Sequence, residues 1–214
     1  MTKRVIEEHQ SEYFSDPVKI KEYADYVERS SNSRFLAFIS KLKKLEIPGS
    51  YLEVGSGSGK LARLLVTELP DIKITCLDAS DELNKIASDL TRKANLDKNI
   101  SYINGDIANP GFLEGLGKFN VIYSTFSLHH WQDPVTTFRH MNGLLNDTGI
   151  IVILDLKRVW WLYRISSQSG FFKSIRASYT INETRNILRK AEIRKFEIRT
   201  IFPFFMQMIT IWKE

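Results

Sequence analysis

Ser50-Tyr51-Leu52-Glu53-Val54-Gly55-Ser56-Gly57-Ser58-Gly59-Lys60 carries an apolar strand into a glycine turn and then into a helix. Glycine at 55, 57 and 59 permits backbone angles closed to a side chain and lets a ligand lie against bare main chain. The start of the following helix points unpaired N–H groups at whatever binds there. Nucleotides, dinucleotides and adenosyl groups all use such turns, so the neighbouring residues decide. A phosphate loop requires glycine where Val54 stands and a hydroxyl where Leu61 stands. A dinucleotide fingerprint requires glycine where Lys60 stands, for close packing of helix on strand. An adenosyl ligand without a phosphate is the possibility that survives.

Outward from the turn, strand and helix signals alternate as in a parallel sheet with crossover helices. Residues 72–78 (IKITCLD) form a second apolar strand ending on Asp78. A carboxylate there can accept hydrogen bonds from both hydroxyls of a ribose, at roughly 1.5–3 kcal/mol for each charge-assisted bond. A third strand, Ile100 to Asn104, leads to Gly105-Asp106-Ile107, an acid and an apolar residue suited to the amino group and face of adenine. The fourth strand, Phe119 to Ser124, is followed by Thr125-Phe126-Ser127-Leu128-His129-His130-Trp131. Helices are expected over Lys60–Leu69, Asp81–Ala94 and Pro134–Leu145, the last with Asp133 as its N-cap and Pro134 in its first position. Gly149–Leu154 reads as a strand covered on both faces. Thr180 to Glu183 has the form of a capping box for a helix ending near Ala191. From Ile193 to Trp212, two extended runs flank Phe202-Pro203 and predict an antiparallel pair at the sheet edge.

Taken in order, Leu-Glu-Val-Gly-Ser-Gly-Ser-Gly (52–59), Leu-Asp-Ala-Ser (77–80), Asn-Gly-Asp-Ile (104–107) and Ser-Leu-His-His-Trp-x-Asp-Pro (127–134) resemble the successive motifs of class I S-adenosylmethionine-dependent methyltransferases. The pattern is most similar to the small enzymes of ubiquinone and menaquinone biosynthesis. It covers residues 50–155 well and 180–214 more loosely. The resemblance implies a Rossmann-like α/β fold: a seven-stranded, mostly parallel sheet with helices on both faces and an antiparallel C-terminal strand pair. It also implies S-adenosylmethionine as cofactor, held by Glu53, Gly55, Ser56, Gly57 and Gly59 at its methionine portion and by Asp78 at the ribose. Ala79, Asp106 and Ile107 would meet adenine, with Ser124 completing the set. Asn120 stands where many relatives have aspartate, which leaves undecided whether the substrate side of the pocket is ordinary, and Ser56 replaces a frequent cysteine.

One domain over residues 1–214 is expected, with a helical cap (1–48), a cofactor core (50–155), a substrate lid (156–179) and a C-terminal helix and strand pair (180–214). The chain has 214 residues, 43% of them hydrophobic, enough for a substantial core. The lone Cys76 lies in a strand, which excludes an intramolecular disulfide and a cysteine metal cluster. Met1 to Gln10 lacks the apolar run of a secretory signal, and the apolar stretch Ile201–Trp212 is too short to span a bilayer. The expectation is a cytoplasmic protein without stable membrane insertion.

The cap carries Tyr13, Phe14, Ile20, Tyr23, Tyr26 and Val27, then Phe35, Leu36, Phe38, Ile39 and Leu42, the spacing of packed helices. A sharper possibility sets Tyr23 or Tyr26 beside the reacting methyl group. Residues 157–176 hold Lys157, Arg158, Arg164, Lys173 and Arg176 without an acid, among Trp160, Trp161, Tyr163, Phe171 and Phe172. That segment reads as a lid packed on the domain, a contact with an anionic membrane, or a grip on RNA. With no RNA-binding module beside it, a small or lipid-like acceptor ranks above RNA. Methyl transfer mainly needs alignment, and a base only if the acceptor arrives protonated. His129 and His130 are the candidates for that base; the alternative has one capping a loop while the other packs beside Trp131. An RNA methyltransferase and a non-catalytic adenosyl-binding scaffold stand as alternatives.

Overall fold

A computed structural model describes residues 3–5, 16–165, 167 and 169–213. Tyr13, Phe14 and most of Met1–Gln10 lie outside the described residues. Five parallel strands, β1 (Gly49–Val54), β2 (Ile72–Asp78), β3 (Ile100–Asn104), β4 (Phe119–Thr125) and β5 (Leu145–Leu156), join β6 (Phe196–Ile201) and β7 (Met206–Trp212). The sheet order is β3-β2-β1-β4-β5-β7-β6, with β7 antiparallel to both neighbours. Chain order reverses between β1 and β4. Such switch points open a crevice at the carboxyl ends of parallel strands.

Side chains alternate across each strand, so each strand feeds both faces. Tyr51 joins one core with Phe38 and Leu42 of α2 (Leu36–Lys43) and Leu61 and Leu65 of α3 (Lys60–Glu68). Leu52 and Val54 join the opposite core with Phe138 and Met141 of α5 (Pro134–Gly143) and Leu188 of α8 (Ile181–Lys190). Ile151 to Leu154 are fully buried, which is why that strand reads as an unbroken apolar run. The seven-stranded doubly covered sheet and its antiparallel terminal pair match the sequence expectation.

The N-terminal layer packs on the first face. Ile20 and Ala24 of α1 (Pro17–Arg29) meet Leu83 of α4 (Asp81–Lys93). Asp16 caps α1, accepting from the Val18 N–H at 2.9 Å. Lys60, where a dinucleotide fingerprint would need glycine, is buried under this layer. Its ammonium donates to the carbonyls of Val27, Glu28 and Ser30 at 3.0, 2.9 and 2.7 Å. A cation at those end carbonyls satisfies groups the helix leaves unpaired.

Three local expectations change. The helix expected over Pro134–Leu145 ends at Gly143, because Leu145 is already paired with Phe119 and buried in the sheet. Asn120 does not face the substrate side. At the amino end of β4, its Oδ1 accepts from the backbone and hydroxyl of Ser50, both at 3.0 Å, on the edge away from the glycine turn. The segment 157–176 forms two short helices, α6 (Trp160–Tyr163) and α7 (Gly170–Ala177), and Arg158 is no surface charge. It is buried and donates to Ser178 O at 2.6 Å and to Glu183 at 2.5 Å. No helix among the described residues is long and apolar enough to cross a membrane.

Candidate active site

The glycine turn leaves β1 with positive φ at Gly55 (73°) and Gly57 (55°), the left-handed region that a side chain resists. A Cβ on Gly55 would stand 2.2 Å from Ser127 Oγ, so the chain passes too close for any side chain. A Cβ on Gly57 would meet nothing nearer than Tyr23 Oη at 4.0 Å, because that side opens onto a cavity. The cavity holds about 740 Å³ at the carboxyl edge of the sheet.

Asp78, at the end of β2, accepts the Gly57 N–H at 2.8 Å through Oδ2 and the Ser80 N–H at 2.9 Å through Oδ1. Each oxygen keeps capacity for a further donor. Burial holds the Asp78 carboxyl above its ordinary range, and those two N–H groups partly offset the effect. Ser56 Oγ is buried beside the cavity with no hydrogen-bond partner in the protein. Glu53 is deeper, accepting from Tyr123 Oη at 3.1 Å and from Cys76 Sγ at 3.8 Å. Burial pushes its carboxyl up to about 8, so a neighbouring cation would draw it toward the ionised form.

The cavity brings together most of the residues chosen from sequence. Glu53, Gly55, Ser56, Gly57 and Asp78 border it on one side. Ala79, Asp106, Ile107 and His130 border it on another. Asp106 is fixed by accepting the Ala108 N–H at 2.8 Å, and the Ile107 carbonyl by His140 Nδ1 at 2.7 Å. Three expected residues are not on its wall. Gly59 is spent on the turn into α3, packed against Tyr102. Ser124 is fully buried, its hydroxyl donating to Val54 O at 2.6 Å. His129 is buried behind the wall, its Nδ1 2.7 Å from Asp155 Oδ1 and its backbone N–H on Asp155 Oδ2 at 2.8 Å.

The two histidines therefore separate. His130 faces the cavity, with its ring centroid 4.0 Å from that of His129. Burial, with the neighbouring His129 and Arg4, pulls its pKa down to about 3 and keeps the imidazole neutral. A neutral imidazole can accept a hydrogen bond or a proton, but at this basicity it takes a proton weakly. Tyr23 borders the cavity while Tyr26 is exposed, which separates the two tyrosines.

Arg34 and Phe126 were not foreseen. Arg34, on the single helical turn Asn32–Phe35, holds its guanidinium 4.6 Å from the Phe35 ring and 5.9 Å from the Phe126 ring. Its Nε is buried without a partner at the cavity wall. Phe126 adopts φ 53°, unusual for a bulky side chain. Neither has a local sequence signal, since both depend on the turn Asn32–Phe35 meeting Phe126 just beyond β4. The cavity is thus acidic along the ends of β2 and β3 and cationic under the N-terminal layer.

Comparison with known proteins identifies the family and the fold. The profile of a family described as a methyltransferase domain matches residues 23–194. A demethylmenaquinone methyltransferase of Porphyromonas gingivalis is 29% identical over 112 residues, 52% of this chain and 45% of that enzyme. This chain thus spans less than half the length of that curated relative. The fold is shared with an S-adenosylmethionine-dependent methyltransferase of Aquifex aeolicus at TM-score 0.72 and 20% identity, covering 93% and 99% of the two chains. A plantazolicin methyltransferase solved with S-adenosylhomocysteine gives TM-score 0.72 at 22% identity, covering 94% and 93%.

Proposed function

Because the chain belongs to the methyltransferase-domain family, whose profile spans most of its length, we propose that it is a cytoplasmic S-adenosylmethionine-dependent enzyme methylating a small or lipid-like acceptor. The observation that carries this reading is the meeting at one cavity of Asp78, the open face of Gly57 and the buried, unpartnered Ser56 hydroxyl. These residues suit the ligand. Asp78 has acceptor capacity for two ribose hydroxyls, and Asp106 with Ile107 offers an acid and an apolar face to adenine. Glu53 and Ser56 serve the amino-acid end, where Arg34 provides a cation for its carboxylate.

S-adenosylmethionine supplies, when bound, a methyl group on a sulfonium that is already an activated electrophile. The protein's share is alignment and exclusion of water, and positioning alone is worth roughly 7–11 kcal/mol. The N-terminal helices roof the core 50–155, with Tyr23 and Arg34 facing inward. His130, on the cavity wall, is our candidate for contact with the acceptor. His129, locked to Asp155, fixes the ring beside it. Residues 156–179 flank the acceptor side, where contact with an anionic surface belongs.

Asp78→Ala tests the site directly. Two charge-assisted bonds at roughly 1.5–3 kcal/mol each predict S-adenosylhomocysteine binding weakened about a hundredfold or more in calorimetry. Unchanged affinity overturns the ribose assignment. Incubation with methyl-labelled cofactor and separate lipid, RNA, protein and metabolite extracts then tests the reaction. Label in the lipid or metabolite fraction is expected. Label in RNA alone, or binding without transfer to any fraction, overturns the acceptor class.

A further inference from the structure

The large apolar side chains that this protein leaves in solvent are clustered. Of ten exposed among the described residues, six are Trp160, Trp161, Ile165, Phe171, Phe202 and Phe204. They lie on two segments, the α6–α7 stretch after β5 and the turn between β6 and β7. Phe205 joins the segments, its ring centroid 6.5 Å from Trp161 and 5.3 Å from Phe171. Phe202 and Phe204 stand out from that junction, 76% and 62% exposed and edge-to-face with each other. Single exposed apolar residues are ordinary, whereas a contiguous patch marks an interaction surface.

The charge around the patch has one sign. No Asp or Glu occurs from residue 156 to 182 or from 198 to 213. Arg164 is exposed, 5.7 Å from the centroid of the Trp160 ring, and Lys157 bridges the two segments by donating its backbone N–H to Phe205 O at 2.7 Å, while its ammonium donates to Thr200 Oγ1 of β6 at 2.9 Å. The surface is a hydrocarbon centre with a cationic fringe. Its place in the fold matters equally. Leu156 pairs with Met206, so the β6–β7 turn rises from the same sheet edge as the cavity. Phe126 packs against the cluster of Leu156, Leu162 and Ile175, which Phe205 also joins, and it lines the cavity as well.

We propose that this face docks on an anionic phospholipid bilayer and presents the cavity, past Phe126, to an acceptor dissolved in the membrane. The proposal rests on the methyltransferase reading and adds the source of its substrate. Aromatic side chains with basic neighbours suit the boundary between headgroups and acyl chains. RNA would need several phosphate contacts, and this patch offers more hydrocarbon than cation. A second copy would set two cationic fringes face to face, which like-charge repulsion opposes.

The test is sedimentation with vesicles of phosphatidylcholine, alone or mixed with phosphatidylglycerol. The protein should partition onto the mixed vesicles about tenfold more strongly than onto phosphatidylcholine alone, less so as salt rises. Phe202→Ser combined with Phe204→Ser should lower that partition about tenfold, and Arg164→Gln about fivefold. Both variants should bind S-adenosylhomocysteine as the parent does, which shows that they are folded. No preference for anionic vesicles, or variants that partition like the parent, overturns the proposal. So does RNA binding, or self-association, that these substitutions abolish in place of vesicle binding. Loss of S-adenosylhomocysteine binding by the parent would instead refute the enzyme reading.

Discussion

Arg34 is a cation lying against two aromatic rings with a buried nitrogen that donates to nothing in the protein. A buried donor without a partner costs about 1–3 kcal/mol unless a ligand satisfies it. Assigning it to a carboxylate leads to a prediction with an internal control. Arg34→Gln should weaken S-adenosylhomocysteine binding about tenfold or more, yet leave 5′-methylthioadenosine, which lacks the amino-acid end, unaffected. Calorimetry on both ligands decides. Equal weakening of both would make Arg34 a packing residue, and no weakening of either would place the carboxylate elsewhere. Asp78 was legible in the sequence because strand, turn and helix fix its place within one continuous stretch. Arg34 was hidden because the Phe126 ring beside it is 92 positions away in the chain and arrives only through tertiary packing. His129 and His130 show the same limit: adjacent in sequence, they diverge because Asp155 at the end of β5 captures the first.

At the level of elements, the glycine turn is not a free loop but is held from above by α1. Glu28 Oε1 accepts from Ser58 Oγ and from Arg63 Nη2, both at 2.8 Å, while Lys60 spans three carbonyls at the end of α1. The same residue that excluded a dinucleotide fingerprint therefore fastens the N-terminal layer to the core. Lys60→Met keeps the hydrocarbon stem but leaves those carbonyls without their cation. A loss of about 2 kcal/mol is expected, read as a lower urea midpoint with unchanged slope. A shift below about 0.5 kcal/mol, the range of ordinary surface changes, would mean that the clamp contributes little. Most elements were legible because caps and periodicity are local: Asp133 and Thr180 cap their helices as their sequences indicate. The end of α5 was not, since Leu145 reads equally as the last apolar helix position. Its pairing with Phe119, a contact 26 residues distant, assigns it to β5.

Across the whole molecule, parallel strands send the loops that line the cavity to one edge, and the N-terminal layer borders that edge from one side. Tyr23, Val27, Arg34 and Phe35 all border the cavity, although they precede the first strand. Because this layer and the glycine turn enclose the same space, a ligand between them should resist the opening of both. Saturation at a hundred times Kd stabilises the bound state by about 2.7 kcal/mol, which slows exchange about a hundredfold for amides that exchange only by an opening that releases the ligand. Hydrogen exchange read by mass spectrometry, with and without S-adenosylhomocysteine, should therefore show new protection in 17–36 as well as in 53–60 and 76–80. The α6–α7 stretch and the β6–β7 turn should stay unprotected, because their exposed aromatic face is separated from the cavity by Phe126. Protection confined to the glycine turn and the end of β2 would show that the N-terminal helices lean on the site without closing it. Protection reaching Trp160 and Phe204 would mean that cofactor binding already orders the surface assigned to the bilayer.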